Sequence, residues 1–133
     1  MILLDTHVLV WADTDDRKLG RKARALIERN WNVGQVAVSA IVFWESALLQ
    51  ARRRLRLPWP VSEWRPHLLS AGLIELPVDG VIAVRAVDLV GISEDPADRF
   101  IAATAIDHGA TLVTADEALL SWKHALQRHD ARA

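Results

Sequence analysis

The chain has 133 residues, 16 basic and 17 acidic side chains for a net charge of −1, 51% hydrophobic residues and no cysteine. That length predicts one domain spanning residues 1–133, and the composition excludes a disordered chain. The missing cysteines exclude disulfides, thiolate chemistry and Cys-ligated zinc, which suits a reducing cytoplasm.

No apolar run approaches the roughly 20 residues that a membrane helix needs. The N-terminus lacks a basic stretch ahead of its apolar segment, which argues against a secretory signal. A cytoplasmic protein with no membrane partner is expected. Met1 to Asp5 predicts a short buried strand, followed by a turn of helix through Trp11. Asp16 is placed to cap a helix to about Arg29, with Leu19, Ala23, Leu26 and Ile27 on one face. QVAVS (35–39) predicts a second strand, and Ser39 an N-cap for a helix from 40 to about 54. LPWP breaks the chain at 57–60, and Ser62 to Ala71 predicts a helix in spite of Pro66. GLIELP (72–77) gives a third strand, and 80–90 a helix carrying Val81, Val84, Val87 and Leu89. Asp95-Pro96 opens another helix to about His108, with proline at its first position. GATLVTAD (109–116) supplies a glycine stop and a fourth strand. A short helix follows, and HALQRH (124–129) is a candidate edge strand. Strands alternating with helices imply an α/β fold with a parallel sheet covered on both faces. Ligands of such sheets bind beyond the carboxyl ends of the strands.

Acidic residues fall where that geometry matters. Asp5 closes the first strand, and Asp116 closely follows TLVT (111–114), so a parallel sheet sets both at one edge. Alone, each is the turn or capping residue that an Asp at a strand end commonly is. Glu45 shares a helix face with Ile41, Leu48 and Leu49. Burying an unpaired carboxylate there is costly and favours its protonation; pairing with Arg52 or a neighbouring helix is the structural alternative. Asp98 shares a face with Ile101, Ala102 and Ala105, yet its place three residues after the Asp95 cap also suits the helix dipole. If all four converge, their repulsion needs a counter-charge. No lysine or arginine lies within two residues of Asp5, Glu45 or Asp116; Arg99, beside Asp98, is the exception. A divalent cation is the simplest remedy, and oxygen-only ligands favour Mg²⁺ or Mn²⁺. The histidines at 7, 67, 108, 124 and 129 show no convincing zinc spacing.

Most of the basic residues lie in two blocks: Arg17, Lys18, Arg21, Lys22, Arg24 and Arg29, then Arg52, Arg53, Arg54 and Arg56. Such blocks are compatible with phosphate backbones and equally with solvated helix faces. Among six tryptophans, Trp44 beside Glu45 and Trp59 in a proline-flanked loop are the ones expected outside the core.

Four stretches, LLDTHVLVW, SAIVFWESALL, DPADRFIAATA and LVTADEALL, occur in that order over nearly the whole chain. With them the sequence resembles a PIN-domain ribonuclease of the VapC type, the toxin of bacterial toxin–antitoxin modules. The resemblance implies a three-layer α/β/α fold with a parallel sheet of four or five strands. It implies a Mg²⁺- or Mn²⁺-dependent endoribonuclease leaving 5′-phosphate and 3′-hydroxyl ends, whose acidic quartet matches Asp5, Glu45, Asp98 and Asp116. One metal on Asp5, Asp98 and Asp116 is the minimum; Glu45 serves a second metal or acts as the base. Thr6 and Thr114 match supporting polar positions, and Asp95 an accessory acid that caps its helix. RNA would follow Arg52, Arg53, Arg54 and Arg56, with Arg99 touching phosphate or pairing with an acid. A VapB-like antitoxin would cover Trp11, Trp44 and Trp59, and homodimers are usual in the family. Relatives that open Asp-Thr-His often carry His-Arg before Asp-Pro, where this chain has Ser93-Glu94, so no substrate contact carries over to that point.

The alternative is a non-catalytic PIN-like module that binds RNA or protein; its signature, loss of one acid, is missing. Haloacid-dehalogenase phosphatases want an Asp where His7 stands, and receiver domains want a lysine that TLVTADE lacks.

Overall fold

The computed structural model describes all 133 residues. Five strands, β1 (Ile2–Leu4), β2 (Val36–Ser39), β3 (Ile74–Leu76), β4 (Thr111–Thr114) and β5 (Arg128–Asp130), form one sheet in the order β3-β2-β1-β4-β5. Every pairing is parallel. Seven helices connect them: α1 (Thr6–Asp13), α2 (Arg21–Asn32), α3 (Ile41–Ala51), α4 (Val61–Ala71), α5 (Gly80–Asp88), α6 (Pro96–His108) and α7 (Glu117–Leu120). Successive residues of a strand point to opposite faces, and every residue of β1 and β2 is buried. Helices therefore cover both faces, giving the three-layer α/β/α arrangement. No helix is long and apolar enough to cross a membrane.

The chain steps from β1 out through β2 to β3, then returns to the other side of β1 for β4 and β5. The gap beyond the carboxyl ends of β1 and β4 is thus the topological switch point, where a crevice opens because the connections leave in opposite directions. Asp5 and Asp116 stand at the ends of those two strands.

Local chemistry sets most helix starts. Asp95 Oδ1 accepts from the Ala97 and Asp98 amides, Pro96 occupies the first helical position, and Gly109 closes α6 in the left-handed region. Asp79 caps α5 through the Ile82 amide. Ser39 acts one residue further out than expected: its hydroxyl accepts from the Ile41 amide, with Ala40 at the cap position. Pro66 lies inside α4, which continues because Trp64 and Leu68 are buried on either side of it.

Several boundaries differ from the expectation. α1 is a full eight-residue helix rather than a single turn. Asp16 caps nothing; it accepts from the Lys18 amide in a turn, and α2 begins only at Arg21. The edge strand lies at Arg128–Asp130, later than 124–129, since Arg128 turns back to the carbonyls of Leu119 and His124 and leaves the preceding segment wrapped outside the sheet.

α3 stops at Ala51, short of 54, because Arg53 adopts φ +56° and the Arg54 amide closes back on the Leu49 carbonyl. Glycine commonly holds that left-handed position, which penalises a side chain. Arg53→Gly is therefore expected to stabilise the fold by about 1 kcal/mol, read as a higher midpoint in urea with unchanged slope.

Candidate active site

Asp5 is the hub. Its amide completes the ladder to Val113, Oδ1 accepts from the Thr6 amide at 2.8 Å, and Oδ2 accepts from the Thr114 hydroxyl at 2.7 Å. The Thr114 oxygen in turn accepts the Asp116 amide at 3.0 Å, and Asp116 caps α7 through Ala118. One buried hydroxyl thereby locks the ends of β1 and β4 together and sets the spacing of their two acids. Asp98 comes in on the first turn of α6, and Glu45 on the second turn of α3.

Asp5, Glu45, Asp95, Asp98 and Asp116 all line one cleft of about 340 Å³, with His7, Trp11, Ala115 and Arg132. Thr6 and Thr114 lie buried behind its wall. Three of these carboxyl groups, Asp5, Glu45 and Asp98, are held above the usual carboxylate range. Burial, opposed by the Thr114 and Thr6 hydrogen bonds, holds Asp5 above the usual carboxylate range. Asp98 is pushed up to about 7, by burial first and then by Asp5, Asp95, Asp116 and Glu45. Glu45 is raised too, again chiefly by burial. The Thr6 hydroxyl, buried and without a partner in hydrogen-bond geometry, still lies near enough to Glu45 to offset part of that rise.

Some sequence expectations need correction. Glu45 makes no ion pair with Arg52; the ion pairs are Arg24–Asp15, Arg65–Glu75 and Arg85–Asp107. Arg99, half-buried, reaches no acid. Its guanidinium donates to the carbonyls of Ala86 and Leu89 and ties the end of α5 to α6. Trp11 is 7% exposed and forms a wall of the cleft, so it offers no open face to a partner. Trp44 and Trp59 are 52% and 43% exposed, with Trp59 stacked on His67. Arg52, Arg53, Arg54 and Arg56 are exposed, but none lines the acidic cleft; Arg53 and Arg56 flank a separate depression.

Sequence reasoning missed two polar lining residues, His7 and Arg132. His7 carried a signal, sitting two residues after Asp5 on the same first turn. Arg132 carried none, because only the sheet edge brings it there.

The donor set suits a hard divalent cation: carboxylate oxygens, a free buried hydroxyl and no sulfur. Yet no three acidic or histidine side chains are gathered tightly enough to hold an ion on their own. The expected grip by Asp5, Asp98 and Asp116 together is therefore not preformed. Mg²⁺ requires less, since it usually keeps several waters and takes one or two carboxylates directly.

A parallel α/β sheet with an acidic cleft at its switch point defines the class, and the PIN domain family model matches residues 2–123; the chain belongs to that family. Within it the likeness runs to the VapC type. The chain is 37% identical over 124 residues to Ribonuclease VapC22 of Mycobacterium tuberculosis, covering 92% of each protein. Its fold matches VapBC2 from Rickettsia felis, solved with a promoter DNA fragment, at TM-score 0.70 and 19% identity over 97% of this chain and 98% of that one. DNA-bound VapBC from Salmonella typhimurium matches at 0.69 and 19% over 98% of both chains.

Proposed function

We propose that this protein is a Mg²⁺- or Mn²⁺-dependent endoribonuclease toxin, silenced by a VapB-like antitoxin. The observation that carries this reading is the convergence of Asp5, Glu45, Asp98 and Asp116, from four separate segments, on one cleft at the switch point. Kinship with a named VapC ribonuclease supports it. Asp5, Asp98 and Asp116 would hold the cation, directly or through water, and Glu45 would receive a proton from the attacking water. The bound cation supplies an acidified water and neutralises charge at the scissile phosphate. Thr114 fixes Asp5 and Asp116 relative to each other, and Thr6 stands beside Glu45. Asp95 starts α6 and adds negative charge to the same cleft. Arg52, Arg53, Arg54 and Arg56 are proposed to hold flanking RNA away from the chemistry, at the far end of Glu45's helix.

The test is Mn²⁺-dependent cleavage of a structured RNA by the protein and by Asp5→Asn, followed by sequencing of 5′-phosphate ends. A non-catalytic module would show equal or absent cleavage in both.

Partners would meet two apolar surfaces. We assign the antitoxin to the exposed indoles of Trp44, adjacent to Glu45 on α3, and Trp59, in the loop after that helix, so that a segment laid along α3 would reach the cleft. A second copy would meet the face of α5, where Val81 and Val84 are 61% and 63% exposed and Val87 78%, with Val90 following. An antiparallel two-fold pairing of α5 would set Val84 of one copy against Val87 of the other. Val84→Asp is expected to shift the protein from dimer to monomer in light scattering, with cleavage per chain measured beside it.

A further inference from the structure

Arg132 is the one lysine or arginine that lines the acidic cleft, and nothing in the proposed chemistry uses it. Its backbone is fixed from both sides. The Ala131 amide extends the ladder to the Thr114 carbonyl, and the Arg132 amide donates to Asp130 Oδ1 at 2.8 Å. From the other side, the Gly20 amide donates to Ala131 and the Lys22 amide to Ala133. A β-carbon on Gly20 would fall 2.2–2.5 Å from the backbone of Arg132 and Ala133, so only glycine lets these segments meet.

The side chain is held as firmly, but by neutral groups. Nη1 donates to the Ala115 carbonyl at 2.8 Å, and the guanidinium carbon lies 5.7 Å from the centre of the Trp11 ring. No carboxylate lies within ion-pair distance of it, even though five line the cleft. A counter-ion for those acids would have closed on one of them. A tail anchor would not need the charge, since backbone bonds already seat the tail. Arg132 instead keeps an uncompensated charge and most of its five donors at the mouth of a pocket that otherwise repels anions.

We propose that Arg132 binds the RNA backbone in this cleft, its guanidinium taking the non-bridging oxygens of a phosphodiester as the strand crosses the acids. The planar fork matches phosphate geometry, and Trp11 holds the plane in place. This rests on the ribonuclease reading above.

The test titrates a fluorescein-labelled 20-nucleotide single-stranded RNA, in EDTA so that it stays uncut, against the protein, Arg132→Ala, Arg132→Lys and Arg29→Ala. Arg29 is exposed near the far end of α2 and serves as a charge control. Arg132→Ala is expected to bind about tenfold more weakly and to lose about 0.7 from the salt slope, the single-strand value for one phosphate. Arg132→Lys should recover the slope but only part of the affinity, and Arg29→Ala should change neither. Identical binding and slope for the protein and Arg132→Ala, including no binding by either, overturns the proposal. So does a loss that Arg29→Ala matches. Circular dichroism and the thermal midpoint check that each variant folds. Cleavage by the unaltered protein in Mn²⁺ is scored separately: cleavage with unchanged Arg132→Ala binding sinks only the arginine's role, and no cleavage sinks the ribonuclease reading itself.

Discussion

Asp5→Asn is expected to lower Mn²⁺-dependent RNA cleavage roughly 10³-fold, the equivalent of several kcal/mol of transition-state stabilisation at 1.36 kcal/mol per decade. The substitution is nearly isosteric, and its surroundings tolerate it. The amide oxygen still accepts from the Thr6 amide, and the amide nitrogen can donate to the Thr114 hydroxyl, reversing the bond that now runs the other way. What disappears is the charge at the point where β1, β4 and their acids meet. Native-like circular dichroism with cleavage lost would assign the effect to chemistry. Cleavage within tenfold of the unaltered protein would show that Asp5 is only the cap of α1, the local role its Thr6 bond already displays.

Much of this site could be read from the chain because each acid sits inside a short stretch that also dictates its own element. Asp5 ends an apolar strand and starts a helix; Asp95, Pro96 and Asp98 write a helix start; Asp116 follows the last buried strand. The parallel sheet then turns four local facts into one cleft without further information. Arg132 lacked such a context. Its position depends on the pairing of β4 with β5 and on the approach of Gly20, contacts between segments remote in sequence.

The same contact explains the misplaced helix start. An Asp accepting the amide two residues on looks alike in a turn and at a helix cap. What decides is that Gly20 is pinned to Ala131 before α2 can wind, which leaves Asp16 in a turn. Trp11 was misread for a related reason. The helix reaches Trp11 as expected, but the indole is buried beneath the Arg132 guanidinium, which only the distant sheet edge brings there. Arg99 likewise looked like a partner for Asp98 because they are adjacent, but neighbouring residues on a helix point about 100° apart. Its side chain leaves toward α5.

Asp98→Asn is expected to make the metal-free protein more stable at neutral and alkaline pH while removing activity. The Asp98 carboxyl accepts no hydrogen bond, so the amide gives up none. Its folded pKa of about 7 lies above the ordinary value of 3.8, so between those limits the folded state binds more protons than the unfolded one. Stability contributed by this group is therefore present at low pH and falls as pH rises through that window, levelling off above about 7. The full shift would correspond to about 4 kcal/mol at 1.36 kcal/mol per unit, but the cleft is open to water and screens it. A gain of about 1–2 kcal/mol at pH 8 is expected, or roughly 3–8 °C in thermal midpoint, shrinking to nothing near pH 4. Mg²⁺ should reverse the ranking. Added cation raises the midpoint of the unaltered protein by mass action, because it binds the folded cleft and not the unfolded chain, and it raises that of Asp98→Asn much less. Equal midpoints for the two proteins from pH 4 to 8 would mean that Asp98 carries no electrostatic strain. Equal responses to Mg²⁺ would mean that it has no part in holding the ion.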